Sequence, residues 1–367
     1  MRTLYVVVAV VAIIYMAIFA IGQPKGEIII GVSAPSTGPV ALVGMWAVQG
    51  VELAIEDVNT NGGINGRQLR LVIEDDKCNA NEGVKTLNKL VQADMAKIIV
   101  VYCGAVTGAA TTIAENKSII YSISIRTEPL EGKYPFLFNM APSPEREVEL
   151  IAAHMVLNNI TRVALLHQSD FFGETYKNKF KRAFSDRGGT VIVEGSLDNF
   201  QNPDFRSDLL KAKALDVQAI FTSFNPAHYS VILKQSKEIG LGVKFYSVWN
   251  TESVLMLNLS GDLAEGVIYT YSFQGSEEDN YKKFRNIYME HYGKEPEYNA
   301  ANGYDTIMIV STALKQCGED IECIQNVTAN IKEFSGVSGQ FGFVNGSADK
   351  GVFFKTIKGG TFVKYGG

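Results

Sequence analysis

The residues with the clearest chemical use sit in short loops that each follow an apolar run. Gly104 and Ala105 stand ahead of a helical pattern. With no bulky side chain there, backbone N–H groups and the helix dipole suit a carboxylate. Taken alone, the same pair also makes an ordinary strand-to-helix turn. Ser124-Ile125-Arg126-Thr127-Glu128 is a second such loop. The Arg126 guanidinium binds a carboxylate if it faces a cleft, and solvent if it does not. Residues 167–172, Phe224-Asn225-Pro226 and Trp249-Asn250-Thr251-Glu252 add aromatic and amide side chains. Phe172 and Phe224 suit an apolar ligand body, although a Phe at a strand end also serves a core.

Other chemistry is poorly supplied. The four His residues (His154, His167, His228, His291) show neither HxxxH nor HExxH spacing, which argues against zinc. Asp75-Asp76 follows a strand and reads as a solvated turn. There is no P-loop, no GxGxxG after the first strand and no GxSxG. Tyr281, Phe284, Tyr288 and Tyr292 lie at helical spacing, the mark of a core-facing stripe. The expectation is a binding protein with no catalytic residue, no cofactor and no metal.

The elements that must hold these loops alternate. Strands are predicted at 27–33, 69–74, 97–102 and 119–122, with helices at 43–59, 84–92 and 107–116 between them. The same cadence resumes with helix 144–157. Strands follow at 163–167, 191–194, 219–224, 245–248 and 267–271, and helices at 174–187, 205–215 and 227–239. Continuous Val/Ile/Leu strands between helices indicate parallel sheets covered on both faces. Two such runs predict an α/β chain of two doubly wound lobes. Past Glu277 come helices at 279–292, 299–316 and 321–332, then short strands at 340–344, 352–357 and 361–364. A tail too small for its own domain must add to the existing lobes, so the chain crosses between them more than once, building a multi-strand hinge. The expected division is residues 1–26 as a leader, 27–142 with 274–350 as lobe one, and 143–273 with 351–367 as lobe two. Ligands of open parallel sheets bind beyond the carboxyl ends of the strands, where the loops above lie.

Composition fits an exported protein of two domains. The 367 residues are 46% hydrophobic and 20% charged, with net charge −5, which argues against a nucleic-acid partner. Residues 4–21 carry no charge and border on both a signal-peptide core and a spanning helix. Cleavage near Gly22 and a retained membrane anchor both remain open. No Cys follows the run to carry a lipid. An even number of cysteines suggests two disulfides: Cys317 and Cys323 are close enough for a small loop, and Cys78 would then pair with Cys103. Sequons at Asn116, Asn159, Asn258, Asn326 and Asn345 permit glycosylation.

Several motifs recur together in order and spacing. They are Thr37-Gly38-Pro39-Val40-Ala41, Asp57-Val58-Asn59 leading to Asn61-Gly62-Gly63-Ile64-Asn65-Gly66, Glu74-Asp75-Asp76-Lys77-Cys78, Tyr102-Cys103-Gly104 and Phe171-Phe172-Gly173. From Glu27 onward the chain resembles the branched-chain amino-acid type of periplasmic binding protein, the type I solute-binding proteins of ABC importers. The resemblance implies a clamshell closing on a small ligand, a permease partner, and a Cys78–Cys103 disulfide beside the site. It places the carboxylate-binding loop on Gly104 and Ala105. Thr127 would add a carboxylate contact, and the Ile125 carbonyl an ammonium contact. The closing aromatic side chain falls on Phe172, and the next contact on Phe224 or Asn225. The acidic partner of a ligand ammonium falls on Asn250, which cannot neutralise charge. The implied cargo is an amino acid or a related small carboxylate or amide. A sensor ectodomain working with a separate signalling partner is the alternative.

Overall fold

A computed structural model describes residues 26–38, 40–114, 118–123, 134–197, 202–272 and 279–366. The leader and residues 124–133, which include Ile125, Arg126 and Thr127, lie outside the described residues.

In the first lobe, β1 (Ile28–Ala34) leads into α1 (Ala41–Thr60), β2 (Leu69–Asp75), α2 (Ala80–Asn88), β3 (Ile98–Val101), α3 (Gly104–Ala114), β4 (Ile119–Ser122) and β5 (Leu137–Asn139). Here β1 pairs in parallel with β2 and β3, β3 with β4, and β4 with β5. β3 and β4 are fully buried apolar or hydroxyl-bearing strands, as a sheet covered on both faces requires.

The second lobe repeats the plan with α4 (Pro144–Leu157), β6 (Arg162–Gln168), α5 (Phe171–Ser185), β7 (Thr190–Leu197), α6 (Arg206–Ala214), β8 (Ala219–Ser223), α7 (Pro226–Glu238), β9 (Lys244–Ser247), α8 (Val254–Ser260) and β10 (Ile268–Tyr271). Three of its helices, α5, α7 and α8, begin at side-chain caps. Asp170, Asn225 and Ser253 accept from the backbone N–H groups of Gly173, His228 and Met256, supplying acceptors that the first turn lacks.

The tail serves both sheets. α9 (Asp279–Tyr292), α10 (Tyr298–Cys317) and α11 (Ile321–Ala329) precede the hairpin β11 (Phe334–Gly336) and β12 (Gly339–Phe341). Then β13 (Phe343–Val344) and β14 (Ser347–Ala348) extend the first sheet beside β5, while β15 (Phe353–Lys358) and β16 (Thr361–Lys364) extend the second beside β10. The chain therefore passes between the sheets after β5, after β10 and between β14 and β15. α10 lies so close to α1 that a Cβ on Gly50 would stand 1.9 Å from the Ala300 carbonyl oxygen.

The third crossover carries a buried cation. The Lys350 ammonium donates to Asn302 Oδ1 at 2.5 Å and Ser338 Oγ at 2.6 Å, and stands 4.5 Å from the centre of the Phe341 ring. Asp305, also buried, accepts from the Val337 and Ser338 N–H groups at 2.7 and 2.8 Å. Burial pushes the Lys350 pKa down to about 7, against the pull of Asp305.

Candidate functional site

On lobe one, three strand ends are tied together. The Ser36 N–H and Thr37 hydroxyl donate to the Asp75 carboxylate at 3.0 and 2.6 Å, and the Lys77 N–H adds a third bond at 3.0 Å. Partial desolvation opposes the charge on Asp75, but these donors outweigh it and hold the pKa at about 2. The loop after β1 is thus fastened to the end of β2. Beneath it, the Ser33 hydroxyl and the Cys78 N–H donate to Asp76 at 2.9 and 2.8 Å. Asp76 is fully buried, and desolvation raises its pKa. The Cys78–Cys103 disulfide then joins the end of β2 to the end of β3. The expected pairings are both present, Cys317–Cys323 being the second.

This frame aims the start of α3. The Val106 and Thr107 N–H groups both return to the Cys103 carbonyl, at 3.1 and 2.9 Å. Gly104 and Ala105 therefore occupy the first two helical positions, whose N–H groups have no acceptor within a helix. Ala105 is exposed and Gly104 half-buried, so the end is open to a ligand. Sequence reading starts this helix at Thr107; the structure starts it three residues earlier, which makes the Gly104-Ala105 turn part of the helix itself.

On lobe two, Phe172 is half-buried in the first turn of α5, its ring 4.9 Å from that of Tyr176. That turn approaches β6 closely: a Cβ on Gly173 would stand 2.0 Å from the Gln168 carbonyl oxygen. Gln168 links two loops, donating to Asp170 at 2.8 Å and accepting from the Asn225 N–H at 2.6 Å. The Asn225 side chain is occupied as a helix cap, with His228 Nδ1 2.7 Å from its amide nitrogen. Phe224 is 1% exposed and meets Phe205 edge-on at 5.0 Å. Its ring belongs to the lobe-two core, because alternation along the strand sends it to the face of Ile220. Only its backbone bears on the next loop: the Asn250 amide donates to the Phe224 carbonyl at 2.9 Å. That bond fixes the amide and leaves Asn250 Oδ1 buried with no hydrogen-bond partner among the described residues. Glu252 is held by Lys355 and Tyr269 at 2.6 and 2.7 Å.

A residue missed by sequence reading lies under this half. Glu147 is fully buried and accepts from the Tyr176 hydroxyl, from the Thr270 hydroxyl at 2.7 Å and from the Trp249 N–H at 3.4 Å. Its signal in the sequence is a carboxylate on the same helical face as Val148, Ile151, Ala152 and Met155, which are core residues. The two halves meet: α3 of lobe one touches α5 of lobe two. Among the described residues no cluster of His, Cys, Asp and Glu fits a metal ion.

Two parallel-sheet lobes that touch where α3 meets α5 and are joined by three crossovers describe a clamshell. Residues 27–361 match the family model described as "Periplasmic binding protein". The chain belongs to the periplasmic binding protein family, in its branched-chain amino-acid type.

Among relatives of this periplasmic binding protein is the leucine-, isoleucine-, valine-, threonine- and alanine-binding protein of Pseudomonas aeruginosa, 25% identical over 79% of this chain and 78% of that one. Leu/Ile/Val-binding protein homolog 1 of Brucella suis is 26% identical over 90% and 88%. Solved folds agree. The branched-chain amino-acid transporter substrate-binding protein of Streptococcus pneumoniae, with isoleucine, superposes at TM-score 0.82 and 22% identity, covering 92% of this chain and 97% of that one. A solute-binding protein from R. palustris, with benzoate, reaches TM-score 0.82 at 18% identity over 93% and 96%. These relatives are named for solutes they hold, and the chain, like them, is a binding protein and not an enzyme. Membership places it outside the cytoplasm. Among the described residues no helix is long and apolar enough to cross a membrane.

Proposed function

We propose that this chain is the substrate-binding protein of an ABC-type importer. It captures an amino acid or a related small carboxylate or amide by clamshell closure, then docks on permease subunits. Residues 27–142 with 274–350 act as lobe one, and 143–273 with 351–367 as lobe two. The N-terminal segment either tethers the protein to the membrane or is removed near Gly22.

One observation carries the reading. The open helix start at Gly104 and Ala105 belongs to a helix that touches the one bearing Phe172 on the opposite lobe. A carboxylate at the first would lie within reach of the second, and closure would exclude water from both. Ile125, Arg126 and Thr127 complete the proposed contact set on lobe one, with Phe172, Asn225, Asn250 and the backbone at Phe224 on lobe two.

A thermal-shift panel tests the reading. Leucine, isoleucine, benzoate and simple amides are added to the purified soluble portion at rising concentration. A true ligand at a hundred times its Kd stabilises by about 2.7 kcal/mol, a melting shift of several degrees. No shift with any amino acid, small carboxylate or amide would remove the proposal. Asn250→Glu is the second arm. It is expected to raise leucine affinity by about tenfold, through a carboxylate partner for the ammonium. Unchanged affinity would mean that position 250 does not govern the ammonium.

A further inference from the structure

Glu147 lies behind two of the candidate contacts of lobe two, Phe172 and Asn250. It lies in the first turn of α4, directly after the first crossover. One carboxyl oxygen accepts from Thr270 on β10 and from the Trp249 N–H, the residue before Asn250. The other accepts from Tyr176, whose ring packs on Phe172. Four elements therefore converge on a single carboxyl group.

Among the described residues no cation compensates its charge. The titratable groups facing it are Tyr176 from α5 and Tyr298 from α10, both kept neutral because burial raises their phenols. Charged neighbours on its own turn are engaged elsewhere: Glu145 pairs with Lys179, and Arg146 with Asp349 on the third crossover. Desolvation lifts the Glu147 pKa to about 7, with the three donors pulling the other way. Protonation turns one acceptor oxygen into a donor, so the Tyr176 hydroxyl must reorient.

We propose that Glu147 is the positioning residue of the lobe-two half-site: its carboxyl locks the Trp249–Thr251 turn and the Phe172 helix into one unit, and gain or loss of its proton resets that unit. Asn250 and Phe172 then move together, a consequence that rests on the cleft proposed above.

The test needs no ligand, so its failure and the failure of the ligand reading are told apart. The chain has two Trp residues, and Trp46→Phe leaves Trp249 as the reporter. Its emission is followed from about pH 5 to 9, around the ordinary and raised carboxyl values. One step centred near neutrality is expected, and Glu147→Gln abolishes it. Thr270→Val removes a donor to the ionised form and raises the midpoint by about half a pH unit, the worth of a modest hydrogen bond. Absence of a step, a step that survives Glu147→Gln, or a midpoint unmoved in Thr270→Val would each overturn the proposal. Should Glu147→Gln fail to fold, the Thr270→Val midpoint decides alone.

Discussion

The two halves of the cleft are built on opposite electrostatic terms. Lobe one fastens its loop with Asp75, a carboxylate held charged by three donors, and ties its strand ends with Cys78–Cys103. Lobe two gathers its loops on Glu147, a carboxyl group that burial pushes towards neutrality. A half-site held by a covalent tie and a committed charge is preformed. One held by a group that titrates near neutral pH is adjustable. The difference suits a receptor whose first lobe receives the solute and whose second closes on it.

Breaking the covalent tie should have the largest effect. The Cys78–Cys103 bridge spans 25 residues. Replacing both by Ser is expected to cost about 3.5 kcal/mol of unfolding free energy in a denaturant titration, and to weaken ligand binding with it. If stability falls while affinity holds, lobe one is not preformed by this bridge.

Acidity should then separate the halves. Glu147 has a folded pKa raised from 4.5 to about 7, so its contribution is full below the lower value and lost as pH rises through the upper. The loss is roughly 3 kcal/mol between those limits. Asp75 has a folded value depressed from 3.8 to about 2, so its contribution is present above 3.8 and lost as pH falls towards 2. Melting temperatures of the wild type should fall from about pH 5 to 7, below the range in which the depressed Lys350 works in the opposite direction, and Glu147→Gln should reduce that slope. An unchanged slope would make the two halves electrostatically alike.

The second bridge is the control. Cys317–Cys323 joins the last residue of α10 to α11 across 6 residues, and Glu319 between them bonds Arg67 and Lys97, at the opposite strand ends from the candidate loops. Its removal is expected to cost about 2 kcal/mol by the same loop argument and to leave affinity within about twofold. Asp75→Asn is the smallest change. It keeps one acceptor oxygen, turns the other into an amide donor and loses the charge, and on a partly exposed loop should cost about 1 kcal/mol. A larger affinity loss than stability loss would show that the loop after β1 touches ligand.

Much of this was legible in the sequence, for physical reasons. Buried parallel strands read as apolar runs, and Gly63, at φ 71°, marks a turn after α1 as its Asn-Gly-Gly context predicts. The three-residue β5 and the helix α8 escaped notice, being too short for a periodic signal. The Phe224 ring takes the core alternative that its strand-end position offered, as alternation with Ile220 and Thr222 on one face explains. Glu147 could not be assigned, because its donors come from residues 176, 249 and 270, which only the folded lobe brings together.

The central claim is that one solute bridges both halves. Hydrogen–deuterium exchange on the protein, with and without the compound that gives the largest thermal shift, tests it directly. The account predicts protection at residues 102–107 and 248–252 together, saturating at one ligand per chain. Protection confined to one lobe, or to neither, would contradict it.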